Sequence, residues 1–192
     1  MESNSTNYLE SIKKQFAYYK LLGDKTLLAV SDSDIHYTFN ETSNSLAIIV
    51  KHMAGNMLSR WTHFLTEDGE KKWRNRDDEF VDSYADKTTM LAHWEKGWQC
   101  LFTAIDSVNE DNFSQLVYIR NQGHTITEAI NRQLAHYAYH VGQIVFLGKM
   151  IKDTEWESLS IPKNASKSYN AEKFNQEKKR SHFTDDEISR LS

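Results

Sequence analysis

The stretch TITEAINRQLAHYAYHVGQIVFLGKMIK, residues 125–152, decides how the rest of the chain is to be read. Thr125 and Glu128 stand in the spacing of a capping box, in which each side chain accepts the other's backbone N–H at a helix start. Behind them Ile126, Ala129, Ile130, Leu134, Tyr137, Val141, Ile144 and Val145 recur at three- and four-residue steps. That is the apolar stripe of one helix running to about Lys152. Beside the stripe runs a second line, Gln133, His136, His140 and Gln143, which is polar. Polar groups aligned on a helix that must pack against neighbours point to a site inside the molecule.

Three more segments share the helical period. Residues 7–30 carry Leu9, Ile12, Phe16, Tyr19 and Leu22; residues 45–66 carry Leu46, Ile49, Met53, Met57 and Trp61. A third, over 87–107, holds Met90, Leu91, Trp94, Trp98, Leu101, Phe102 and Ile105, with Asp86 placed to cap it. The single proline is Pro162, so nothing upstream forces a helix to break. Residues 31–44 read as a connection, and 67–85 as a long polar crossover with Trp73 and Phe80 as aromatic pins. Asn121-Gln122-Gly123-His124 reads as a turn. The expected class is all-α: a four-helix bundle over residues 1–155 and a partly helical C-terminal arm over 156–192. Trp156, Tyr169 and Phe174 are the arm's candidate anchors.

Composition narrows the function classes. The 192 residues are 39% hydrophobic, 12% aromatic and 26% charged, with a formal net charge of -4. A phosphate-backbone binder needs a basic face, so a nucleic-acid partner is not expected. The lone Cys100 excludes an internal disulfide and suits a reducing compartment. Met1-Glu2-Ser3-Asn4 has no basic or apolar signal region, and no apolar run approaches a membrane span. The expectation is a cytoplasmic protein with no membrane partner.

The chemistry centres on His136 and His140. Histidines at i and i+4 share a helical face with Cβ atoms about 6 Å apart, close enough for both imidazoles to reach one ion. Two semi-buried core histidines would leave the same trace. A third ligand must come from another helix. His52 lies on 45–66, and His93 on 87–107 is not excluded by spacing. His124 stands 12 residues before His136, about 18 Å along a helix axis, and His63 is 11 residues after His52, too far to share a site with it on a straight helix. His36 and His182 read as solvated. Asn56 and Gln143, one turn from His52 and His140, are candidates to face substrate. No acid stands beside the histidines in sequence to serve as a general base. Gly55 and Gly142 each cost about 1 kcal/mol inside a helix, which close packing or room for a ligand would explain.

At His52-Met53-Ala54-Gly55-Asn56 and His136-Tyr137-Ala138-Tyr139-His140-Val141-Gly142-Gln143-Ile144 the chain resembles the DinB/YfiT-like family of metalloenzymes, over residues 8–152. Trp73-Arg74-Asn75-Arg76-Asp77 and Ile161-Pro162-Lys163 resemble one bacterial branch of it. The resemblance implies a bundle of up-down-down-up order, often dimeric, with three histidines on a divalent metal. Carried over, the ligands are His52, His136 and His140. Relatives include thiol-cofactor-dependent transferases and isomerases, but no substrate motif carries their reaction over. It is the lack of a general base beside the histidines that makes a low-molecular-weight thiol joined to an electrophilic small molecule the expected reaction, since a metal alone can deprotonate a thiol. A metal-dependent hydrolase and a non-catalytic metal-binding dimer are the alternatives. Zinc, nickel and iron are equally compatible. Three ordinary imidazoles would release their ion between about pH 7 and 5.

Overall fold

A computed structural model describes residues 3–191. The chain is mostly helical, with four long helices: α1 Asn4–Ala29, α2 Leu46–Trp61, α3 Lys87–Asp106 and α4 Ile126–Lys152. Two short ones, α5 Ser166–Phe174 and α6 Phe183–Leu191, follow. Each long helix starts at a side-chain cap: Ser3, Ser45, Asp86 and Thr125 accept a backbone N–H of the first turn. Thr125 and Glu128 form the full capping box expected from their spacing. No helix among the described residues is long and apolar enough to cross a membrane.

The apolar stripes meet in one core. α2 lies along α3 and α1 along α4. Each long helix sends an aromatic ring to the centre: Phe16, Trp61, Trp98 and Tyr137 are at most 2% exposed. Phe16 packs on the other three at centroid distances of 6.1–6.4 Å. Rings of this size each contribute roughly 2–3 kcal/mol of burial, enough to set how the helices cross. Tyr137 takes its hydroxyl into that core because partners are waiting there. Trp61 Nε1 donates to it at 3.0 Å, and it donates to Asn56 Oδ1 at 2.9 Å.

The expected all-α class needs one correction. Leu116–Ile119 (β1) and Gln122–Thr125 (β2) form an antiparallel hairpin that leads directly into α4. Its turn centres on Arg120 and Asn121, both at positive φ (55° and 60°), one residue earlier than the Asn121–His124 turn read from composition. Asp68 holds that bend, its carboxylate accepting the Arg120 and Asn121 N–H groups at 2.8 Å each. The second helix also ends sooner than its period suggests, at Trp61 rather than Thr66. Thr62 is extended and His63 takes a φ of 49°, which turns Phe64 into the core.

At the C-terminus, α6 packs on α1. Lys14 pairs with Asp185 at 2.7 Å, Ser11 bonds the His182 ring at 2.9 Å, and Thr184 and Leu191 are buried. His182 is therefore a docking residue rather than a solvated one. Of the three aromatic anchors expected for this region, Phe174 is 84% exposed and anchors nothing. It sits on α5, a helix with no buried residue.

Candidate metal centre

α2 and α4 bring His52, His136 and His140 together. One ring nitrogen from each lies within 4.8 Å of the other two. His136 Nε2 is 3.0 Å from His140 Nε2 and 3.4 Å from His52 Nε2. The i,i+4 spacing does on α4 what it was expected to do, and the third imidazole comes from α2. His93 is elsewhere, its Nδ1 bonded to the Tyr84 hydroxyl. His36 is paired with Asp82, and His124 with Arg132 and its own turn.

The outward nitrogens decide which tautomers the rings hold. His52 Nδ1 lies 2.9 Å from Glu79 Oε2. A carboxylate only accepts, so that Nδ1 carries the proton, and in the neutral ring it is Nε2 that presents its lone pair. His140 Nδ1 donates to Gln143 Oε1 at 2.8 Å, which exposes its Nε2 in the same way. Three Nε2 atoms thus converge, with at least two fixed as lone-pair donors. At most one shared proton can sit among them.

Electrostatics act in the same sense. Burial lowers the His136 pKa to about 3, helped by the neighbouring His140, His52, Arg60 and Arg74. His140 is also lowered, by burial first, against an opposing contribution from Gln143. Both rings stay neutral further into acid than free imidazoles would. The window of pH 7 to 5 expected from unperturbed histidines therefore does not describe them.

Glu79 is the residue that sequence reasoning missed. It comes from the crossover, on a short turn at Asp78–Phe80, and is 5% exposed. Arg74 clasps it in two bonds, Nε to Oε1 at 2.7 Å and an Nη to Oε2 at 2.8 Å. Burial alone would raise its pKa, but the bonds from His52 and Arg74 outweigh that and hold the carboxyl below its ordinary range. Gly55 explains the close approach: a Cβ there would collide with the Glu79 carboxyl. Gly142 has no such role, since a Cβ at that position would meet nothing within 4 Å. The crossover is thus a structural part of the site. Of its two supposed pins, Trp73 is 61% exposed, whereas Phe80 packs its ring 5.0 Å from that of His52.

The two amides expected to face substrate part ways. Asn56, 5% exposed, lines a cavity of about 240 Å³ beside His52 and His136, while its Oδ1 accepts from Tyr137. Gln143 spends its carbonyl on orienting His140.

Against known proteins, a family model described as "Protein of unknown function (DUF1572)" matches residues 3–165. No curated protein and no solved structure matches the chain.

Proposed function

The chain belongs to the DUF1572 family, and from its site we propose a divalent-metal protein of the DinB-like type, in which His52, His136 and His140 hold one ion through Nε2. The observation that carries this reading is the convergence of three imidazole nitrogens, two of them fixed as acceptors by Glu79 and Gln143. Nitrogen ligands at about 2.0–2.1 Å from one ion lie roughly 3.0–3.4 Å apart. The two separations to His136, 3.0 and 3.4 Å, fit, and the third pair lies within 4.8 Å. A carboxylate behind a ligating histidine is the arrangement by which proteins orient such ligands. Zinc, nickel and iron all accept imidazole, so the donor set does not select among them.

Bound there with a coordination position free, such an ion would supply Lewis acidity that lowers the pKa of a thiol or a water. The chain's own residues favour the thiol. Hydrolysis wants a carboxylate free to take a proton, and both oxygens of Glu79 are committed to Arg74 and His52. We therefore read the protein as a transferase joining a low-molecular-weight thiol to an electrophilic small molecule, with Asn56 facing the substrate and Gln143 positioning His140.

The same reading takes the four long helices as an up-down-down-up bundle over 1–155, with 156–192 as an arm, in a cytoplasmic homodimer. Tyr139 and Phe146, 64% and 63% exposed, stand seven residues apart on α4 and offer the apolar strip for the dimer contact.

The test is metal analysis of protein purified without a nickel column, followed by a thiol-transfer screen on electrophiles. Wild type should carry one ion per chain. His52→Ala, His136→Ala and His140→Ala should each abolish stoichiometric metal while the helical signal persists. Full metal content in His52→Ala would defeat the ligand set.

A further inference from the structure

The cavity beside the histidines is rimmed by five arginines, Arg60, Arg74, Arg76, Arg120 and Arg132. They come from α2, the crossover, the hairpin turn and α4, so no single segment announces them. Their carboxylate partners are two. Glu70 is shared by Arg60, Arg74 and Arg120 at 2.9, 3.3 and 3.3 Å, and Glu79 is held by Arg74. Even with Asp68 counted, whose carboxylate feels Arg60 and holds the Arg120 N–H, five guanidiniums exceed the three carboxylates around one cavity, in a chain whose formal net charge is -4.

Two of the five have no ion pair among the described residues. Arg76 lies over the Phe80 ring, 5.0 Å from its centroid, and Arg132 Nη1 lies 3.2 Å from His124 Nε2. Two more residues of the lining are themselves buried. Gln133, 4% exposed, has an unsatisfied Oε1, and Arg60, 6% exposed, has an unsatisfied Nε.

We propose that this cavity binds the anionic part of the substrate, a phosphate or dicarboxylate group. Arg76, Arg120 and Arg132 would clasp it, Arg60 and Gln133 would meet its inner end, and its reacting end would be presented to the histidines. Guanidinium forks match phosphate and carboxylate oxygens in pairs, which a lysine cluster would not do. The volume of about 240 Å³ suits a small-molecule anion rather than a polymer backbone. This assignment rests on the reading of the histidines as the reactive centre, but anion binding itself needs no metal and can be measured without it.

The experiment is calorimetric titration of methylphosphonate and of succinate into metal-free and zinc-loaded protein. Wild type should bind at least one of the two saturably in both states, and the preferred probe tells phosphate from dicarboxylate. Arg76→Gln and Arg132→Gln, both at exposed positions, should each weaken binding about tenfold. Lys72→Gln, an exposed cation of the same crossover outside the lining, should change it less than twofold. Equal weakening by all three variants would show diffuse attraction and overturn the site. Absence of binding in both states would overturn it as well. Binding that requires zinc and ignores the arginine variants would place the anion on the ion alone, overturning this proposal and leaving the metal reading intact. Arginine-dependent binding by a chain that takes up no zinc would support the anion site and defeat the metal reading.

Discussion

His52 owes its orientation to a residue 27 positions away, and that dependence can be measured. Glu79→Gln keeps an acceptor near His52 Nδ1 but removes the charge and weakens the Arg74 clasp. Metal affinity should fall about 10- to 100-fold, with the helical content unchanged. Gly55→Ala should act in the same direction by displacing the same carboxyl. Competition with a zinc chelator reads both, and unchanged affinity in Glu79→Gln would show that the carboxylate does not position the ligand. The histidines also set a pH dependence. Unfolding returns His136, lowered to about 3 by burial, to an ordinary imidazole near 6.5. The unfolded chain then binds protons that the folded chain refuses, so metal-free protein should lose stability as pH falls from about 6.5 toward 3. Thermal midpoints between pH 7.5 and 5 test this. His136→Gln should flatten the slope, and a midpoint that climbs on acidification would contradict it.

Among the elements, the crossover and the hairpin depend on each other. Asp68 accepts the Glu70 N–H at 2.7 Å and those of Arg120 and Asn121 at 2.8 Å each, so one carboxylate ties the crossover to the turn that launches α4. Burial pushes its pKa up, but those three backbone donors more than offset this and hold it below the usual carboxylate range. Asp68→Ala should destabilise the fold by about 1–3 kcal/mol. Asp68→Asn should recover part of the loss, since an amide oxygen still accepts. Urea unfolding measures both, and a neutral Asp68→Ala would mean the turn holds itself. The helices were legible in advance for a reason these segments lack. Asp86 and the Thr125–Glu128 pair cap as their spacing indicates, because capping and amphipathic period are contacts within one turn. β1 and β2 have four residues each, one wholly apolar and the other wholly without large apolar groups, so neither shows in the sequence the alternation by which its inward side chains could be read.

On the scale of the whole molecule, Tyr139 and Phe146 leave an apolar strip on the outer side of α4. Phe146→Glu should convert the proposed dimer to a monomer, with little change in thermal midpoint, because the position is 63% exposed within the chain. Light scattering coupled to size exclusion is the check. A wild-type monomer, or a charged variant that stays dimeric, would remove this strip from the account.

Read alone, the sequence determined four helical segments, the caps of the third and fourth, the pair His136 and His140 on one face, and the polar line beside the apolar one. Each of these is a relation between residues at most a few turns apart, which periodicity and capping chemistry encode locally. Tertiary structure decided the rest. It placed Glu79 and Arg74 behind His52, and it spent Gln143 on His140. It also gathered five arginines from four segments around one cavity. Gly55 was the one trace of this in the helices, a costly residue three positions after His52 whose reason lay in the carboxyl it admits. A charged residue in an aperiodic crossover carries no mark of its destination, because its partner is fixed only when burial demands that the charge be paired.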